Sequence, residues 1–169
     1  MSTTNQKKYL GSNPVQQWFL RRFLDRLVDM IASQQPVSIL EVGCGEGYLL
    51  NQIHERLPDV KKQGYDVFEA ALHEGRRLFP KLTLETGDIY DLPDDDSSWD
   101  LVVASEVLEH LANPDAALRE LQRVAKRAVV LTVPHEPWFR LGNLGRLQNL
   151  SRFGNHPEHV NLWTKRQFA

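Results

Sequence analysis

Glu41 stands just before a turn of three glycines, Gly43, Gly45 and Gly47, in the stretch SILEVGCGEGYLL, residues 38–50. An apolar run that passes through such a turn into a helix-like pattern brings backbone N–H groups and a helix N-terminus close to a ligand. Asp66 closes a second strand-like stretch about twenty residues later, where a carboxylate can accept both hydroxyls of a ribose. Asp88 closes a third, placed to accept from an exocyclic adenine amine with the Ile89 backbone beside the ring. In SEVLEHL, residues 105–111, Glu106, Glu109 and His110 fall at i, i+3 and i+4, so a helical turn would set them on one face. Such a group can take a proton from a hydroxyl or amine, or serve only for capping and hydrogen bonding.

The glycine spacing separates two ligand classes. A dinucleotide-binding turn wants a small residue three positions after its second glycine, where helix packs on strand. Here that position is Tyr48, and the pattern is G-x-G-x-G instead.

These residues need elements to position them, and the chain alternates strand and helix patterns. After a polar start, Asn13 and Pro14 read as cap and first position of an amphipathic helix carrying Val15, Trp18, Phe19, Leu24, Leu27, Val28 and Ile31. VSILEVG reads as a strand, 47–57 as a helix, GYDV as a short strand and 69–78 as a helix. LTLETGD reads as the third strand, DLVVASEV as the fourth, 114–126 as a helix capped by Asn113, and AVVLTVP as the fifth strand. Alternation of this kind predicts right-handed crossovers and an α/β fold, a parallel sheet with helices on both faces. Ligands of such sheets sit beyond the carboxyl ends of the strands, where Glu41, Asp66 and Asp88 fall.

The 169 residues are 41% hydrophobic and 25% charged, which predicts one domain with a real core. We divide it into an N-terminal helix (1–35), a binding core (36–134) and a segment over the pocket (135–169). The net charge of −2 argues against bulk nucleic-acid binding. Cys44 is the only cysteine, which excludes an intrachain disulfide and fits a cytoplasmic protein. The sequence shows neither a signal peptide nor a membrane-spanning run. The acidic stretch ETGDIYDLPDDDSSWD reads as a solvated loop. Arg140, Arg146, Arg152, Lys165 and Arg166 make the far end basic, suited to an anionic substrate or to solvated helix faces.

LEVGCGEG, GYDV, TGDIYDLP, WDLVVASEVLEHL and NPDAALRELQRVAKRAVVLTVP, in this order and spacing, resemble the class I S-adenosylmethionine-dependent methyltransferases over residues 37–134. The resemblance implies a three-layer Rossmann-like sheet with S-adenosylmethionine as cofactor. Glu41, Gly43, Cys44, Gly45 and Gly47 would surround its methionine part, with Cys44 contributing backbone and not thiol chemistry. Asp66 and Val67 would meet the ribose side, Asp88 and Ile89 the adenine, and Ser105 the amino group. Glu109 and His110 become the catalytic candidates for a methyltransferase acting on a small molecule, through oxygen by preference.

EVLEH together with the later HVNLWTKRQF also resembles metal-using branches of the family, the small-RNA 3′-terminal 2′-O-methyltransferases and some ubiquinone-pathway O-methyltransferases. That resemblance implies a divalent ion held by Glu106, Glu109, His110 and His159. Carboxylate and imidazole ligands suit Mg²⁺, Mn²⁺, Fe²⁺ or Zn²⁺ alike. A metal-free base or structural role for the histidines is preferred, and an RNA substrate would need a basic surface. An inactive methyltransferase-like binding module is the non-enzymatic alternative.

Residues 134–163 are expected to form a lid on the acceptor side, with Trp138, Phe139, Leu141, Leu144 and Leu147 packing a short helix and His135 or His156 lining the pocket. The family sheet has seven strands, and the sequence offers none after the fifth. We therefore expect the fifth strand's edge to be open and a homodimer to cover it.

Overall fold

The computed structural model describes residues 14–133. The chain runs α1 (Pro14–Ser33), β1 (Ser38–Val42), α2 (Tyr48–Arg56), β2 (Lys61–Asp66), α3 (Glu69–Leu78) and β3 (Leu84–Thr86). It continues through β4 (Trp99–Ser105), a single 3₁₀ turn (Leu108–His110), α4 (Pro114–Val124) and β5 (Ala125–Thr132). The five strands form one sheet in the order β3-β2-β1-β4-β5, and every neighbouring pair is parallel. The order reverses between β1 and β4, so the crevice of an open α/β sheet opens at their carboxyl ends.

Alternation along the strands decides what each face buries. Ile39 of β1 and Leu101 and Val103 of β4 point to one side. There they pack with Leu24, Leu27, Val28 and Ile31 of α1 and Leu49 and Ile53 of α2. Leu40, Val42, Val102 and Ala104 point to the other side, against Ala117, Leu121 and Val124 of α4. A third cluster, with Cys44, Leu50, Leu72 and Leu84, seats α3 beside the glycine turn. Asn113 caps α4 as expected, its side chain accepting from the Ala116 N–H at 3.1 Å.

Several boundaries differ from the sequence expectation, among them the end of β4, which stops at Ser105 and not at Val107. β2 begins at Lys61, not at Gly64, because its polar first half is held by backbone pairing with β1, Ser38 opposite Lys61. The Lys62 ammonium folds back onto the carbonyls of Leu57, Pro58 and Val60 that close α2. β3 is only three residues, because after Thr86 the chain turns away through an Asp88–Asp91 bridge. α4 passes into β5 without a loop at Ala125, and a register irregularity lets Trp99 pair there.

The acidic stretch before β4 faces solvent in part, as expected, but it is also tied down. The Arg123 guanidinium donates to the carbonyls of Leu92 and Asp94 and to the carboxylates of Asp96 and Glu120. The buried Trp99 indole donates to Asp94 Oδ1 at 2.8 Å.

Candidate functional site

A cleft opens at the switch point between β1 and β4. Glu41, Gly43, Cys44 and Glu46 line one wall, Tyr48 and Leu49 of α2 continue it, and Ser105 and Glu106 close it from β4. Leu20 and Phe23 of α1 form the outer wall.

The side to which Glu41 points follows from strand alternation. It lies two residues after Ile39, hence on the face covered by α1 and α2, and opposite Val103 in the register. Two residues further on each strand stand Gly43 and Ser105, so the turn and the end of β4 meet in the cleft. Glu41 is 3% exposed, and its Oε2 has no hydrogen-bond partner among the described residues. Loss of water, reinforced by the nearby Asp66 carboxylate, pushes its carboxyl up to about 8, with the Leu50 backbone N–H offsetting part of the rise.

The turn itself is pinned to β2. The N–H groups of Gly43 and Cys44 both donate to the Tyr65 carbonyl (2.7 and 3.0 Å), and Gly47 N–H donates to the Cys44 carbonyl at 2.8 Å. Gly45 N–H donates to Asp66 Oδ2 at 2.7 Å, while Asp66 Oδ1 accepts from Phe68 N–H at 2.9 Å. Four N–H groups of the turn are thus spent on the protein. The expected approach of backbone donors to a ligand gives way to a role in shape. Gly43 adopts φ +78°, and a Cβ there would stand 2.4 Å from a methyl of Val107. A turn that has already used these donors is a poor phosphate cradle, in agreement with Tyr48 standing where a dinucleotide turn needs a small residue.

Asp66 ends β2 as expected, and its first task is to fasten the turn. Each carboxylate oxygen keeps acceptor capacity beyond the bond it makes. Val67 follows it, largely exposed, and Ile89 is buried in the core beneath the β3 end. Asp88 is exposed and its Oδ1 accepts from Tyr90 N–H at 2.9 Å, two residues past the end of β3. Ser105 Oγ and Thr132 Oγ1 lie 2.8 Å apart, which orients the serine hydroxyl at the cleft. The Cys44 thiol is buried, and desolvation with the carboxylates of Glu41, Asp66 and Glu46 pushes its pKa far up, which keeps it protonated.

The segment after β4 departs from expectation. Glu106 is not part of a helix: it adopts φ +60°, its N–H donates to the Thr132 carbonyl, and it lines the cleft. Only Leu108–His110 form a turn, of 3₁₀ type, so Glu106, Glu109 and His110 do not share one helical face. Glu109 is 1% exposed, whereas the His110 side chain is 38% exposed, with 4.0 Å between Glu109 Oε1 and His110 Nε2. No group of three or more His, Cys, Asp or Glu is arranged to hold a metal ion among the described residues. His159, the fourth expected ligand, and the expected lid with His135, His156 and Trp138 lie outside the described residues.

Sequence reasoning missed Glu46, Tyr48, Leu20 and Phe23 as cleft residues. Glu46 and Tyr48 were legible in principle from their place on the turn. The two α1 residues sit at i and i+3 on the side that continues to Leu24, Leu27 and Ile31, and nothing in their spacing sets them apart from core positions.

The residues present fit a ligand that brings a positive charge and no phosphate. Glu41 offers a buried oxygen without a partner, and the lining contains no Lys, Arg or His among the described residues. These are the terms on which an adenosyl sulfonium with an amino-acid tail would be held.

Comparison with known proteins agrees. Residues 39–128 match a family described as a methyltransferase domain. A probable S-adenosylmethionine-dependent methyltransferase of Mycolicibacterium smegmatis is 31% identical over 134 residues, covering 77% of this chain and 49% of that protein. The malonyl-[acyl-carrier protein] O-methyltransferase of Halorhodospira halophila is 31% identical over 109 residues, 62% of this chain and 37% of that one. The chain therefore spans half or less of the length of these relatives. Among solved structures, the plantazolicin methyltransferase in complex with SAH superposes with a TM-score of 0.75 at 21% identity, covering 99% of this chain and 68% of that one. No helix among the described residues is long and apolar enough to cross a membrane. The chain belongs to the class I S-adenosylmethionine-dependent methyltransferase family.

Proposed function

We propose that the cleft binds S-adenosylmethionine and that the chain serves methyl transfer to an oxygen of a small organic molecule. The observation that carries this reading is the Glu41 carboxylate, buried at the switch point with one oxygen unpaired and facing a cleft that holds no cation among the described residues. Bound there, the cofactor would supply a methyl group on a sulfonium, which an acceptor takes by in-line displacement. What remains for the protein is alignment and charge.

Glu41 balances the positive charge. Gly43 lets the turn pass under Val107, and Asp66 holds the turn through Gly45 while offering its remaining lone pairs to ribose hydroxyls. Val67 lies on the ribose side, Asp88 and Ile89 flank the adenine end, and Ser105, oriented by Thr132, meets the amino group. His110 is exposed and able to exchange a proton with an acceptor, and Glu109 beside it acts as its positioning group. Both O- and N-methyltransferases stand among the relatives; oxygen is kept as the acceptor atom because a hydroxyl needs the base that His110 can supply. A cytoplasmic setting belongs to the same reading and rests on the single, buried Cys44 thiol.

Calorimetric titration with S-adenosylhomocysteine tests the cofactor assignment. We expect micromolar binding by the intact chain and its loss in Asp66→Ala, because that change unfastens the turn and removes the ribose acceptor. Folded wild-type protein that binds neither S-adenosylmethionine nor S-adenosylhomocysteine would sink the reading.

A further inference from the structure

The Glu41 side chain poses a problem that the cofactor reading does not by itself resolve. A carboxylate ion sealed from water with one oxygen lacking a hydrogen-bond partner is costly, and the described residues bring no cation beside it. Among the described residues, the groups around it come from each neighbouring element. β2 brings the Asp66 carboxylate, the turn brings Glu46 and the Cys44 thiol, and α2 brings the Leu50 N–H. β4 brings Ser105 and Glu106, and α1 brings only the apolar Leu20 and Phe23. Negative neighbours and apolar walls both favour the neutral acid, and one backbone N–H favours the ion.

We propose that Glu41 holds a proton in the ligand-free protein and surrenders it when the cofactor's positive charge enters the cleft, so that cofactor binding is a proton-for-cation exchange. The proposal rests on the cofactor reading above and deepens it. With the cleft empty the neutral form lets the fold close over Glu41, since a protonated carboxyl is far cheaper to bury than an ion. A cation in the cleft reverses the balance, because an opposite charge nearby favours the ion. The proton leaves to solvent, the carboxylate gains its counter-charge, and no covalent bond besides the O–H is broken. The rise of the Glu41 carboxyl to about 8 places the exchange within the neutral range.

The exchange makes the cleft discriminate by charge. A ligand lacking the positive group can be accommodated only by the protonated form, and it gains nothing from a rise in pH.

Isothermal titration of the full chain with S-adenosylmethionine, in buffers of different ionisation enthalpy, counts the protons released. Between about pH 6 and about pH 7, where an α-amino group stays charged, roughly one proton should leave per ligand, and Kd should fall about tenfold. In Glu41→Gln, which mimics the neutral acid in shape, the released proton and the pH dependence should both disappear. A parallel titration with S-adenosylhomocysteine identifies the charge. Release with both ligands assigns the ammonium as partner, and release with S-adenosylmethionine alone assigns the sulfonium. Either outcome supports the exchange. Binding without proton release, or release undiminished in Glu41→Gln, would overturn it while leaving the cofactor reading intact. Failure of both ligands to bind folded wild-type protein would remove both. Should Glu41→Gln not fold, the carboxyl ¹³C resonance of Glu41 in the wild-type chain gives the same answer. It should report a neutral acid without ligand and an ion with it, and an ion in both states would overturn the proposal.

Discussion

Glu41 is buried by the strand it occupies and not by any apolar character of its own, and that burial should tax the ligand-free fold in a pH-dependent way. Unfolded, its carboxyl titrates near the ordinary value of 4.5; folded, near 8. Between these values the folded state holds more protons, so the stability Glu41 confers is full below about pH 4.5 and is lost as pH rises towards about 8. Denaturant melts across this range should show a decline on the order of a few kcal/mol, levelling off above it. Glu41→Gln should flatten the curve and be the more stable protein at the alkaline end, and an unchanged profile would refute the assignment of the effect. Residues at this scale were legible in the sequence where a type and a spacing carried the message: Glu41 before G-x-G-x-G, and Asp66 at the end of β2. The conformation of Glu106 was not, since SEVLEHL carries a helical spacing, whereas its N–H pairs with the distant Thr132 carbonyl and its φ is +60°.

Among the elements, α1 has two tasks that the sequence showed only by half. Its 3.6-residue periodicity marked Val15, Trp18, Phe19, Leu24, Leu27, Val28 and Ile31 as one apolar stripe; the last four are buried, whereas Val15, Trp18 and Phe19 are exposed. That Leu20 and Phe23, one turn earlier, wall the cleft depends on where β1 and β4 separate, which no local pattern encodes. The two tasks can be told apart by a matched pair of cavities. Leu27→Ala on the α1 face and Leu121→Ala on the α4 face should each cost about 2–5 kcal/mol in denaturant melts. Only Leu27→Ala should also weaken S-adenosylhomocysteine binding in the remaining folded protein, because it loosens the helix carrying Phe23. Equal losses of affinity in both variants would count against α1 as a wall of the site. The strands were legible for a related reason: β1 and β4 announce themselves as apolar runs buried on two faces, whereas the polar opening of β2 is strand only by virtue of β1 beside it.

For the whole molecule, the sheet places β3 at one border and β5 at the other among the described residues. Lys126 and Arg127 guard the start of β5, while Val129, Val130 and Leu131 are only half-buried. An edge of this kind invites pairing. We expect the chain to associate with a second copy as its concentration rises, read by light scattering. A monodisperse monomer at high concentration would count against that expectation. The parallel sheet and its two helical layers were legible from alternation alone; the strand order, which creates the cleft, is set by pairing between distant segments that no local pattern encodes.

The backbone of Glu106 carries a further implication. A glycine would sit at φ +60° without effort, while a glutamate there costs roughly 1–2 kcal/mol. The chain bears that cost at the mouth of its cleft, beside the strand pair that splits to make it. Selection for a sturdier protein would find this position early, and the sturdier protein it found would have an emptier doorway.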